Sequence, residues 1–145
     1  MGYRNLRAND DIVTIASRKM LSQELDETGR LQAIDRPDSV YFVLPNGDVI
    51  RVAAHMDIII GRKPRLEDPD VTLDLEKYGG RSLGVSRHHA IIKYMNGNLM
   101  LVDLDSINGT FINGQRALRT KRYALCDGDK LTFGNLSMTL KFGQS

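Results

Sequence analysis

Residues 89–118 read HAIIKYMNGNLMLVDLDSINGTFINGQRAL. The apolar runs His89–Met95 and Leu99–Leu104 are separated by Asn96-Gly97, and Asn113-Gly114 joins Thr110–Asn113 to Gln115–Leu118. An Asn-Gly pair between apolar runs is the strongest short-range signal for a β-hairpin, because both residues tolerate positive φ. Asn108-Gly109 carries the same signal and reads as a third type I′ turn. The rhythm continues in both directions. Upstream lie Val40–Leu44, the turn Pro45-Asn46-Gly47-Asp48, Val49–Ala53 and Asp57–Ile60; downstream lie Asp127-Gly128, Lys130–Phe133 and Leu136–Phe142. In Leu136–Phe142 alternate residues are apolar, as in a strand with one buried face, whereas Ala90-Ile91-Ile92 suits packing on both sides. Many short strands with closely spaced turns imply an all-β sandwich or barrel.

Composition narrows the function classes. The chain has 145 residues, with 20 Lys and Arg against 18 Asp and Glu, enough length for one domain with a real core. The longest apolar run, Val40–Leu44, is five residues, far short of the about 20 that cross a bilayer. Met1–Asn5 has no apolar h-region, and the single Cys126 can form neither an internal disulfide nor a cysteine zinc site. A cytoplasmic protein without a membrane partner is expected. Residues 1–39 hold 6 basic and 7 acidic side chains and residues 40–145 hold 14 and 11, too small a basic excess for nucleic-acid binding. A small anionic ligand remains compatible.

Residues 1–39 show no strand rhythm. They read as an N-terminal arm in which Ile12–Leu25 offers at most a short helix and Leu31–Ile34 is the stretch fit to join a sheet edge. The 23 residues from Lys63 to Val85 form the odd connection, with one plausible strand at Val71–Leu75.

Four clusters occur in order: Gly61-Arg62; Ser86-Arg87-His88-His89; Asn108-Gly109-Thr110-Phe111-Ile112-Asn113-Gly114; and Asp127-Gly128-Asp129 leading to Phe133-Gly134. As a set, over roughly residues 40–142, they resemble the forkhead-associated (FHA) domain, a phosphothreonine-peptide-binding β-sandwich. The resemblance implies a twisted two-sheet β-sandwich of about eleven strands, with loops at one end forming the recognition surface and the domain filling residues 40–145. It also implies a non-catalytic adaptor in serine/threonine kinase signalling, with a phosphothreonine-containing protein or peptide and kinase pathway components as partners. The alternative is a phosphate-independent protein assembly domain that has kept the fold.

By this resemblance the phosphopeptide contacts are Arg62, Ser86, Arg87 and Asn108, supported structurally by Gly61, His89 and Gly109. The side-chain chemistry suits a phosphate. Arg62 and Arg87 bring charge, Ser86 a hydroxyl, and Asn108 an amide that can both donate to and accept from peptide backbone. Ile107 stands where the family often has a small polar residue, so one donor is missing. Taken alone, Arg62 would be a strand-end charge, Ser86 a turn cap and Asn108-Gly109 a plain hairpin turn; the motif context decides between the readings. As a surface arginine paired only in the complex, Arg62 is expected to matter for binding and not for folding. Thr28, after Glu24-Leu25-Asp26-Glu27, is a possible regulatory phosphosite that would dock on the domain in cis or in trans; the competing reading is a solvated turn.

Enzyme chemistry finds no support. His88 and His89 are adjacent on a strand and point to opposite faces, so they do not share a metal ion. Cys126 reads as a packed small residue. Asp127 and Asp129 read as caps of backbone N–H groups in a tight turn, since Lys130, Leu131 and Phe133 follow where calcium ligands would stand. Gly79–Gly84 lacks both the spacing and the lysine of a nucleotide phosphate loop. No metal and no cofactor are expected.

Overall fold

The computed structural model describes residues 33–63 and 70–142. Within these residues eleven strands form two sheets. They are β1 (Ser39–Val43), β2 (Val49–Ala53), β3 (Ile58–Gly61), β4 (Leu73–Asp74), β5 (His88–Met95), β6 (Asn98–Asp103), β7 (Thr110–Ile112), β8 (Gln115–Arg116), β9 (Arg122–Ala124), β10 (Lys130–Phe133) and β11 (Leu136–Lys141). One sheet has the order β2-β1-β11-β10-β7-β8 and the other β4-β3-β5-β6-β9. The short β3–β4 pair is parallel, and the other neighbouring strands pair antiparallel.

The core lies between the sheets, as alternation in β11 requires: Leu136, Met138 and Leu140 are buried and join Phe42, Leu131, Phe133 and Ile112 of the same sheet. Ile58, Ile60, Ala90, Ile92, Leu99 and Leu101 face them from the other sheet. In β5 His89, Ala90 and Ile92 are buried and Ile91 is half-buried, so burial alternates from Ala90 onward. This strand is therefore not covered equally on both faces. Among the described residues, no helix is long and apolar enough to cross a membrane.

Two Asn-Gly hairpins form as expected. Asn96 and Gly97 have φ of 55° and 79°, and Asn113 and Gly114 have 52° and 85°, the positive pair that a type I′ turn needs. Asn108-Gly109 is different. Only Gly109 is left-handed, at 94°, and β6 and β7 belong to different sheets, so this turn carries the chain across the sandwich and is no hairpin.

Two other elements depart from expectation. The strand expected over Val71–Leu75 is limited to Leu73–Asp74, because the Asp74 carboxylate accepts from Glu76 N at 3.0 Å and starts a 3-10 turn over Leu75–Tyr78. Strand β9 had no sequence signal; three residues between charged turns are too few to show alternation.

Residues 33–38 run against the domain. Ile34 N donates to Gly97 O at 2.8 Å, Tyr94 Oη donates to Ile34 O, and Arg36 Nε donates to Ala54 O at 2.8 Å. These bonds hold the segment at the end where β5 turns into β6, without a strand of its own. The helix considered over Ile12–Leu25, together with Leu31 and Thr28, lies outside the described residues.

Candidate functional site

The opposite end of the sandwich gathers the loops that hold the sequence-selected residues. Strand β3 ends in a bulge at Ile60 and Gly61, and a side chain at Gly61 would place its Cβ 1.7 Å from Arg87 O. Only glycine lets these backbones meet, and the close approach allows Arg62 N to donate to Arg87 O at 3.0 Å.

Arg62 is held firmly. Its Nε donates to Val85 O at 2.5 Å, and its Nη1 lies 3.5 Å from Glu76 Oε1. The side chain is 16% exposed. It is thus not the free surface arginine expected from sequence, because the long β3–β5 connection folds the 3-10 turn and Val85 back over it. Glu76 Oε2 also lies 3.7 Å from Arg81 Nε, so one carboxylate serves two guanidinium groups.

Ser86 is fixed from two sides. Its N–H donates to His89 Nδ1 at 2.9 Å, and its Oγ accepts from Ile107 N at 3.1 Å. Because Oγ accepts there, its own hydrogen is available to a ligand. Asn108 Nδ2 donates to Gly84 O at 3.0 Å, and a Cβ at Gly84 would lie 2.7 Å from that nitrogen. Arg87 is exposed at the same end.

The structure thus brings Arg62, Ser86, Arg87 and Asn108 onto one surface, through bonds between three different loops. The FHA domain family model matches residues 58–134, just over half the chain. The chain belongs to the FHA domain family.

Within 58 residues the chain is 41% identical to the ABC transporter ATP-binding/permease protein Rv1747 of Mycobacterium tuberculosis, covering 40% of this chain but 6% of the transporter. An FHA domain solved in a structural and functional analysis of phosphothreonine-dependent FHA domain interactions is 27% identical, with a TM-score of 0.56 over 74% of this chain and 99% of that one. Mycobacterium tuberculosis EmbR, solved with a low-affinity phosphopeptide, is 29% identical, with a TM-score of 0.54 over 89% of this chain and 29% of EmbR.

Behind the surface of this FHA domain lies a buried polar network. His89 Nδ1 accepts from Ser86, so its Nε2 carries the proton and donates to Gly109 O at 2.9 Å. Burial lowers the His89 pKa against the opposing pull of the Gly109 carbonyl and Asp103, and the ring meets Phe133 edge-on at 5.6 Å. Asp103, 2% exposed, accepts from Ser106 N at 3.1 Å, from Ser106 Oγ at 2.7 Å and from Thr110 Oγ1 at 2.6 Å. Burial pushes its carboxyl up, but these bonds outweigh burial and hold it below the usual carboxylate range. Ser106 Oγ in turn accepts from Gly109 N at 3.0 Å, and Gly109 O also accepts from Gly134 N at 2.9 Å. The turn bearing Asn108 is therefore held by β5, by β6 and by the β10–β11 turn.

Sequence reasoning missed Asp103 and Glu76. A carboxylate at the end of an apolar run, three residues before a serine, is a signal for Asp103 of the kind used for side-chain caps. Glu76 shows no such mark, since its partner Arg62 is distant in sequence. His88 is exposed while His89 is buried, so the two do point apart, and Cys126 is buried. Asp129 Oδ2 accepts from Cys126 N at 2.8 Å and Asp127 Oδ1 from Phe142 N at 2.7 Å, the capping expected of that turn.

Proposed function

We propose that this chain is a non-catalytic adaptor in serine/threonine kinase signalling, working in the cytoplasm, and that its FHA domain binds phosphothreonine segments of partner proteins. In this reading the domain occupies residues 40–145 and residues 1–39 form its arm. Arg62 and Arg87 supply charge to the phosphate, and Ser86 Oγ donates its hydrogen to a phosphate oxygen. Asn108 gives one amide hydrogen to Gly84 and offers Oδ1 to a peptide N–H. Gly61, His89 and Gly109 keep these groups in register.

The observation that carries the reading is the cross-loop bonding of the site itself. Arg62 to Val85, Ile107 to Ser86 and Asn108 to Gly84 fix three loops before any ligand arrives. Preorganised donors of this kind lose little freedom on binding an anion. The phosphothreonine-dependent interactions of the 27% identical FHA domain and the phosphopeptide complex of EmbR support the same reading.

The test is calorimetry with paired peptides carrying threonine, phosphothreonine or phosphoserine at one position. Binding of the phosphothreonine form alone, or at least several-fold above phosphoserine, is expected. Equal binding of phosphorylated and unphosphorylated peptides would instead make this a phosphate-independent assembly domain.

A further inference from the structure

Arg116 has no role in the site described so far. It lies on β8 opposite Phe111 of β7, is exposed, and runs back along the sheet toward the recognition end. Its Cζ and Nε lie 3.1 Å from where a Cβ on Gly109 would stand, and Nη2 lies 3.2 Å away. The guanidinium is also 5.9 Å from the Phe111 ring centroid, so the ring and the bare face of Gly109 hold it in place. Gly109 is left-handed at 94°, a conformation that disfavours a side chain, and a Cβ there would crowd the Arg116 guanidinium.

A positive group therefore sits beside the residue that follows Asn108. It has no carboxylate partner among the described residues; Asp105, the acidic residue of the β6–β7 loop nearest in sequence, is 2.6 Å from Arg119. An exposed, oriented and uncompensated guanidinium at the rim of a binding surface favours an anionic group on the ligand. We infer that Arg116 is a specificity-determining residue, which selects phosphothreonine segments carrying an aspartate or glutamate close to the phosphothreonine. The inference rests on the phosphopeptide reading, and it adds a second anionic group that the phosphate-binding residues do not read.

The experiment uses the full chain and a peptide library with fixed phosphothreonine and mixed residues at four positions on each side. Wild type should enrich acidic residues at one flanking position, and single peptides with aspartate there should bind roughly two- to fivefold tighter than their alanine counterparts, the size of an exposed ion pair. Arg116→Gln should abolish that preference while binding the alanine-flanked peptide as wild type does. Arg116→Glu should turn the preference at the same position toward lysine and arginine, an inversion that a purely structural residue would not produce. Unchanged acidic selection in both variants, or no acidic selection by wild type, would overturn the inference and leave the phosphothreonine reading standing. Failure to retain any phosphorylated peptide would overturn both.

Discussion

Arg62 combines two roles that a sequence reading keeps apart. Its Nε bond to Val85 O and its contact with Glu76 make it part of the fold, while its place beside Ser86 makes it a phosphate ligand in the proposed function. Arg62→Ala should weaken phosphopeptide binding by about 1.5–3 kcal/mol, the value of a charge-assisted hydrogen bond. It should also destabilise the domain by about 1–2 kcal/mol, because Glu76 loses one of its two cations and Val85 O its donor. Calorimetry and urea unfolding of the same variant separate the two effects. A variant that unfolds like wild type would show that the Val85 and Glu76 contacts contribute nothing. Glu76→Gln is the companion change: it keeps the shape, removes the charge that competes with phosphate for Arg62, and should raise phosphopeptide affinity about two- to threefold on the scale of a partly exposed ion pair.

At the scale of elements, β5, β6 and β7 meet through His89, Asp103 and Thr110, and this network makes stability depend on pH. Folded His89 sits below its ordinary 6.5, so the unfolded chain takes up its proton first as the pH falls. Its contribution is complete above about pH 6.5 and is lost as the pH drops toward the lowered folded value. Asp103, held below 3.8, adds a second loss once the pH passes under about 4. Urea midpoints measured from pH 8 to pH 3 should fall in these two stages, and His89→Ala should remove the first. A midpoint that stays flat between pH 7.5 and pH 5 would mean that His89 is not held neutral. Asp103→Ala should cost about 2–3 kcal/mol, since it strands the buried donors of Ser106 and Thr110. The hairpins at Asn96-Gly97 and Asn113-Gly114 were legible in sequence because their chemistry is local: positive φ at two adjacent residues is a property of those residues. The ordered motifs likewise placed Ser86 and Asn108 at one end. Asn108-Gly109 looked identical locally but joins two sheets, a fact set by which strands pair far away. Glu76 was illegible for the same reason, and the serine three residues after Asp103 marks a local cap without revealing that the carboxylate is buried. A carboxylate reads as solvated until distant residues are known to surround it.

At the scale of the whole molecule, the recognition loops and the anchored segment before β1 lie at opposite ends. Ile34 is bonded to Gly97 and Tyr94 beyond the end of β5, while Ser86 precedes its start. The eight residues of β5 alone separate these ends by about 23 Å at a rise of 3.3 Å per step. Thr28 lies six residues before Ile34, a length of chain that reaches at most about 20–22 Å when fully extended. That reach leaves no slack for a path around the outside of the sandwich. A tether too short to span its sites gives an effective concentration near zero, whatever the affinity. Phosphothreonine installed at residue 28 should therefore not occupy the site of its own chain while Ile34 stays bonded to Gly97. If it is a ligand, it should engage a second copy. Competition with an independent phosphopeptide would then depend on protein concentration, and the mass measured by light scattering would rise with it. Dilution should restore a free site and a monomeric mass. A block that persists on dilution would show docking in cis, and it would require the Ile34–Gly97 and Tyr94–Ile34 bonds to open, which exchange of the Ile34 amide would report.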